Sequence, residues 1–244
     1  MTHLIFPACL RILNPMFSYI QPTEWDARAL GVNTYEILYE SDFQLRQTID
    51  YIIQQDQFGH YTVKIDPLTP KKTLYDLGFY YCDTLIEPYC NRDQFTFHSR
   101  EGIYVSETIQ FETINQICKT AFHYDRFHRD FNLDEEKSSQ RYCLWLKDLW
   151  EEKKVYSLMY FQDVAGFFAF SENRILLHAL SDLFRGKGLA KYFWSFACQE
   201  LFKLNYSELV TSISASNLAV FNLYASLGFK FRKPLDVYHW LFNS

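Results

Sequence analysis

Apolar and polar positions along this 244-residue chain follow two rhythms that alternate from segment to segment. Residues 34–40, TYEILYE, repeat with period two and predict a strand, whereas DFQLRQTIDYIIQQ (42–55) spaces its apolar side chains three and four apart, as an amphipathic helix does. YTVKIDP (61–67) predicts a second strand, and PKKTLYDLGFYYCDTLIEPY (70–89) a short helix, a turn at Gly78 and a further strand. These elements describe a small α/β unit. The next segment, CNRDQFTFHSREG (90–102), is polar and lacks helical period, which predicts a boundary near residue 100 between an N-terminal domain (1–100) and a larger one (101–244).

Beyond it the periodic segments are longer. Helices are predicted over 107–122 and 138–152, with the polar and aromatic stretch HYDRFHRDFNLDEEK between them. Three strands follow closely (155–161, 164–170, 174–180), then a helix over 187–204 whose stripe is Leu189, Phe193, Phe196, Ala197, Leu201 and Leu204. A strand over 208–215 leads to a helix over 217–227, with Ser216 or Asn217 available as N-cap and Gly228 as the closing glycine, and strands in 229–242 end the chain. Strands alternating with helices predict the α/β class, a mixed, partly parallel sheet flanked by helices.

Composition narrows the chemistry. A hydrophobic content of 48% fills a genuine core, and a formal charge of −5 supplies no general attraction to nucleic acid or to an anionic membrane, so any phosphate site must be local. The six cysteines are scattered without metal-ligand spacing and read as reduced thiols of a cytoplasmic protein. Pro7, Arg11, Asn14 and Pro15 interrupt the apolar opening stretch, which argues against an export signal or anchor. No HExxH, GxSxG or paired-cysteine motif points to metal or covalent catalysis.

The segment DLFRGKGLAKYFW (182–194) stands out, with two glycines and two basic residues at the mouth of a helix. The P-loop pattern is absent, and a dinucleotide glycine pattern fails because Lys191 occupies its third glycine position. Arg185-Gly186-Lys187-Gly188-Leu189-Ala190 instead fits R/Q-x-x-G-x-G/A at every position. Glycines let backbone approach a ligand, free amides at a helix start face phosphate oxygens, and basic side chains add charge; the same composition also makes ordinary strand-to-helix turns. Downstream, Asn217 and Tyr224 in NLAVFNLYASLGFKF are two helical turns apart and share a face.

This loop resembles the acetyl-CoA pyrophosphate loop of the GCN5-related N-acetyltransferase (GNAT) superfamily. The strand, loop, helix, strand, helix order around it is similar to that superfamily's, and the 217–231 stretch resembles its common ending N-x-x-A-x-x-x-Y-x-x-x-G-F, with a one-residue variation after Ala219. The resemblance implies a GNAT fold behind a smaller N-terminal, truncated GNAT-like half-domain, and direct transfer of acetyl from acetyl-CoA to a primary amine without a metal. It implies that Tyr224 protonates the departing thiolate and that the backbone of Leu177, His178, Ala179 and Leu180 pairs with the pantetheine arm. The loop of Arg185 to Ala190 would hold the pyrophosphate, with Asn217 beside the cofactor. Against these roles stand plainer ones: Tyr224 as a packed aromatic, Asn217 as a helix cap, and His178 as a structural histidine rather than a general base. The base remains unnamed, with Asp182, Glu107 and His178 all available.

A finer resemblance is to the dTDP-fucosamine acetyltransferases, which acetylate a 4-amino sugar carried on a nucleotide. PTEWDARALGVNTYEI, LYDLGFYYCDTLIEPY and AFHYDRFHRDFNL each look like segments of that group. It implies an acceptor whose pyrophosphate meets Arg126, His128 and Arg129, with Phe122, Tyr124 and Phe127 available to stack; a solvated loop with aromatic anchors is the plainer reading. Two rival functions remain open, a protein N-terminal or lysine acetyltransferase and a catalytically silent coenzyme A-binding module. The N-terminal domain would complete the acceptor cleft, form a homodimer interface or brace the sheet.

Overall fold

The computed structural model describes residues 18–243; the opening stretch with its interrupted apolar pattern, and Cys9 within it, lie outside the described residues. The chain divides into two compact units, one running to Cys82 and resuming at Leu235, the other spanning Asp83–Pro234. The divisions fall within two strands, β4 (Tyr80–Asn91) and β11 (Lys230–Phe242), the latter passing through Lys233 at φ +51°. The polar segment 90–102 lies inside the second unit.

In the first unit β1 (Ile20–Pro22), β2 (Thr34–Ile37), β3 (Gly59–Ile65) and the end of β11 form a sheet in that order, parallel between β2 and β3 and antiparallel elsewhere. Three helices accompany it, α1 (Glu24–Leu30), α2 (Asp42–Gln54) and α3 (Lys72–Asp76). Ser41 starts α2 by accepting a hydrogen bond from the Gln44 amide, and the three-and-four spacing of Leu45, Ile49 and Ile52 buries one stripe against Tyr61, Val63 and Tyr238.

In the second unit the sheet order is β4, β9 (Glu208–Val210), β8 (Arg174–Leu180), β7 (Asp163–Ser171), β6 (Val155–Tyr160), β5 (Ile103–Ser106), with the short β10 (Ile213–Ser214) also paired to β4. The β8–β9 pair is parallel and the others are antiparallel. Helices α4 (Phe111–Lys119) and α5 (Glu135–Glu151) bury Ile114, Cys118 and Leu146 against Phe167, Ala169, Leu177 and Ala179. On the other face α6 (Ala190–Lys203) and α7 (Leu218–Ser226) bury Phe193, Ala197, Leu201 and Tyr224 with Phe168, Phe170 and Leu180. Neighbouring residues of β7 thus serve opposite cores, which is why VAGFFAF reads as one apolar run rather than an alternation.

Several boundaries depart from the sequence pattern for local reasons. Residues 103–106 are strand, so the helix expected from 107 begins at Phe111. Asp134 accepts a hydrogen bond from the Lys137 amide at 2.9 Å and starts α5 at Glu135, three residues before the first expected one. Helix α6 begins at Ala190 rather than 187 because Gly186 and Gly188 both adopt positive φ, which no right-handed helix contains.

Candidate active site

The site grows from a fault in the sheet. β8 carries one extra residue: Ala169 faces Leu177 while Phe170 faces Ile175, leaving Leu176 as a bulge that bends the strand. Its other neighbour, β9, pairs with it at a single position, Arg174 with Val210, supplemented by the Thr211 hydroxyl donating to the Ile175 carbonyl at 2.9 Å. Beyond Ile175 the two strands part. Leu177, His178, Ala179 and Leu180 therefore present on that side a backbone edge with no strand partner among the described residues, the arrangement that accepts an extended amide-bearing chain as an added strand.

The glycine turn lies at the end of that edge. The amides of Phe184 and Arg185 close a turn onto the Ser181 carbonyl, whereas those of Gly186, Lys187, Gly188, Leu189, Ala190 and Lys191 have no acceptor among the described residues. Leu189, at the N-cap, offers no side-chain cap to α6. Gly186 (φ +74°) and Gly188 (φ +69°) hold left-handed conformations, and a Cβ at either would meet nothing within 4 Å, so open space lies over the turn. Six free amides at a helix start, with the helix dipole behind them, form an anion site. Arg185 is folded back, donating to the Leu180 carbonyl and pairing with Asp182, each at 3.1 Å. Lys187 is exposed.

Tyr224 is the one buried residue of α7, with no exposed surface, and its hydroxyl lies 2.8 Å from Nε2 of His178 on the open strand. Burial pushes the phenol's pKa well above 10, with Trp194 and Thr211 beside it partly opposing the rise. His178 keeps some accessible surface, yet its imidazole sits among the rings of Phe168, Trp194 and Tyr224, and this burial lowers its pKa to about 4. A protonated phenol thus meets a neutral imidazole throughout the physiological range. Asn217 accepts a hydrogen bond from the Val220 amide at 3.2 Å, so it caps α7, the plainer of its two expected roles. Nothing in the sequence singled out Trp194, whose indole nitrogen is buried without an acceptor in hydrogen-bond geometry.

The segment between α4 and α5 is more internally bonded than its polar sequence suggests. His128, its side chain 2% exposed, has Nδ1 2.5 Å from Asp125 and Nε2 3.0 Å from the Ser139 hydroxyl. Burial alone would raise the Asp125 pKa, but His128, the Phe127 amide and Tyr142 outweigh it and hold the carboxyl below its ordinary range. Arg129 pairs at 2.9 Å with the buried Asp83, which also accepts from Ser214 at 2.7 Å. That pair fastens the segment to the residues preceding Asn217. Arg126 lies over the Phe127 ring at 4.6 Å, its Nε buried and unpartnered. His128 therefore has both ring nitrogens engaged, one within the segment and one by α5.

The five described cysteines are free thiols, and no described helix is long and apolar enough to cross a membrane. No curated protein matches the chain. Residues 122–229 match the acetyltransferase (GNAT) family model. Among solved structures, a GCN5-related N-acetyltransferase from Sphaerobacter thermophilus aligns with a TM-score of 0.62 at 10% identity, covering 88% of this chain and 74% of that one. A GNAT-family acetyltransferase from Colwellia psychrerythraea aligns with a TM-score of 0.54 at 13% identity, covering 86% and 76%. A tandem GNAT protein from the clavulanic acid biosynthesis pathway gives 0.52 at 10% identity, covering 86% and 76%. The parted strands, the bare glycine turn and the family model over the same residues agree: residues 122–229 are similar to the acetyltransferase (GNAT) family and share its fold.

Proposed function

We propose that the chain transfers acetyl directly from acetyl-CoA to a primary amine, with Tyr224 as the acid that protonates the departing sulfur and a nucleotide-linked 4-amino sugar as the acceptor. The observation that carries this reading is the free edge of β8 running between six unpartnered amides and a buried phenol. In it, the turn from Arg185 to Ala190 binds the pyrophosphate, the backbone of Leu177 to Leu180 aligns the pantetheine amides, and Asn217 orders the start of the helix that carries Tyr224. A phenol whose pKa is raised by burial stays protonated at every physiological pH, the form an acid requires. Arg126 and Arg129 supply the positive charge for the acceptor's pyrophosphate, and His128 holds their segment in shape through Asp125 and Ser139. The N-terminal unit is read as a truncated GNAT-like half-domain. The free thiols suit a reducing compartment such as the cytoplasm.

Thiol release from acetyl-CoA, followed against nucleotide-linked amino sugars, free amines and peptides, tests the proposal. Transfer to a nucleotide-linked amino sugar is expected, with turnover falling about 10²- to 10⁴-fold in Tyr224→Phe. Transfer to peptides alone would replace the acceptor class, and full turnover by Tyr224→Phe would remove the tyrosine from the chemistry. Charge reversal at Arg126 or Arg129 should raise the acceptor's KM while leaving that of acetyl-CoA unchanged.

A further inference from the structure

We propose that His178 is a positioning residue for Tyr224: its Nε2 holds the phenolic proton at the open edge of β8 until sulfur takes it, and the indole N–H of Trp194 receives the oxygen left behind. The proposal rests on the reading of Tyr224 as the acid. Its geometry starts with the 2.8 Å contact between the Tyr224 hydroxyl and His178 Nε2. In this arrangement the ring proton of His178 is on Nδ1, which leaves Nε2 toward the phenol. A neutral imidazole carries one N–H, so Nε2 has the lone pair and the phenol donates to it.

Satisfying a buried hydroxyl would explain that bond alone, but it does not explain Trp194. The indole Nε1 is buried with no acceptor in hydrogen-bond geometry, and it lies close enough to Tyr224 to favour the phenolate. The His178 and Trp194 rings are 4.8 Å apart and edge-on, so phenol, imidazole and indole form one cluster. The burial that keeps the phenol protonated also penalises the phenolate, and donation from Trp194 offsets that penalty at the moment of transfer. In the step itself, the C–S bond of the tetrahedral adduct breaks with its electron pair going to sulfur, and the phenol O–H proton moves to that sulfur. The phenolate regains a proton from the acceptor nitrogen, which sheds one on becoming an amide, so none is gained or lost overall. Because His178 belongs to the strand that aligns the acyl arm, it fixes the phenol relative to that arm rather than merely burying it.

The test combines kinetics with spectroscopy. His178→Phe should lower kcat about 10- to 100-fold with the KM and calorimetric Kd for acetyl-CoA unchanged, and His178→Gln, whose amide oxygen also accepts from the phenol, should recover most of it. Introduced into Tyr224→Phe, neither substitution should reduce kcat further. Equal losses in the Phe and Gln variants, or a full additional loss in the Tyr224→Phe background, would overturn this proposal while leaving the acid assignment standing. Full turnover by Tyr224→Phe alone would overturn both. Independently of any acceptor, ¹⁵N NMR of the histidine-labelled free protein should find His178 protonated on Nδ1; protonation on Nε2 would refute the proposal whatever the kinetics.

Discussion

Arg185 bears the charge expected at the pyrophosphate, yet its guanidinium is held by Asp182 at 3.1 Å and by the Leu180 carbonyl. If the turn binds a diphosphate as proposed, the ligand competes with that carboxylate for the same donors, and an exposed pair of this kind is worth up to about 1 kcal/mol. Asp182→Ala is therefore expected to tighten acetyl-CoA about 2- to 5-fold by calorimetry, more at low ionic strength than at high; weaker binding would mean that Asp182 orients Arg185 rather than restraining it. At this scale the loop motif and the seven-residue spacing of Asn217 and Tyr224 were legible because each is a local repeat of residue types. Tyr224's partners were not. His178 lies 46 positions upstream and Trp194 looks like any aromatic on an apolar stripe, so only the crossing of β8 with α6 and α7 gathers them.

Among the elements, β8 depends on how closely β7 approaches it. A Cβ on Gly166 would lie 2.1 Å from the Ala179 carbonyl oxygen, a distance no side chain tolerates, so Gly166→Ala must displace the strand that offers the free edge. The expected result is a loss of about 2–4 kcal/mol in urea unfolding together with weakened acetyl-CoA binding. Gly188→Ala differs: open space surrounds the position, so only the left-handed backbone objects, at about 1–2 kcal/mol. It should loosen acetyl-CoA about 10-fold while the melting temperature falls by only a few degrees. Periodicity disclosed most helices and strands here because most of them bury one face, whereas β7 is buried on both. The single pairing between β8 and β9 and the bulge at Leu176 left no trace in it, since both are relations between strands.

For the molecule as a whole, acid tests the site and the core together. His178 is held at a pKa of about 4 against 6.5 in the unfolded chain, so between those values the unfolded state binds more protons and stability falls as pH drops. The loss is complete below pH 4 and amounts to at most about 3 kcal/mol, the partial exposure of the residue reducing it. Asp125 acts in the same direction but lower: its folded pKa is depressed, so its contribution is present above the ordinary carboxylate range and lost as pH falls through it. Urea midpoints should therefore decline from pH 6.5 downward, and His178→Gln should flatten that decline while leaving the acid-most part due to Asp125. An identical pH profile in the variant would place the His178 imidazole in water. Residues from Leu235 onward belong with the N-terminal unit although the 152 residues of Asp83–Pro234 intervene. By itself the sequence determined whatever is local: the α/β class, the helix faces, the bare glycine turn and the tyrosine that follows it. Tertiary structure decided where β8 leaves β9, which rings surround the phenol, and which charges of the 123–137 segment are already paired, because each depends on residues that only folding brings within a few ångströms of one another.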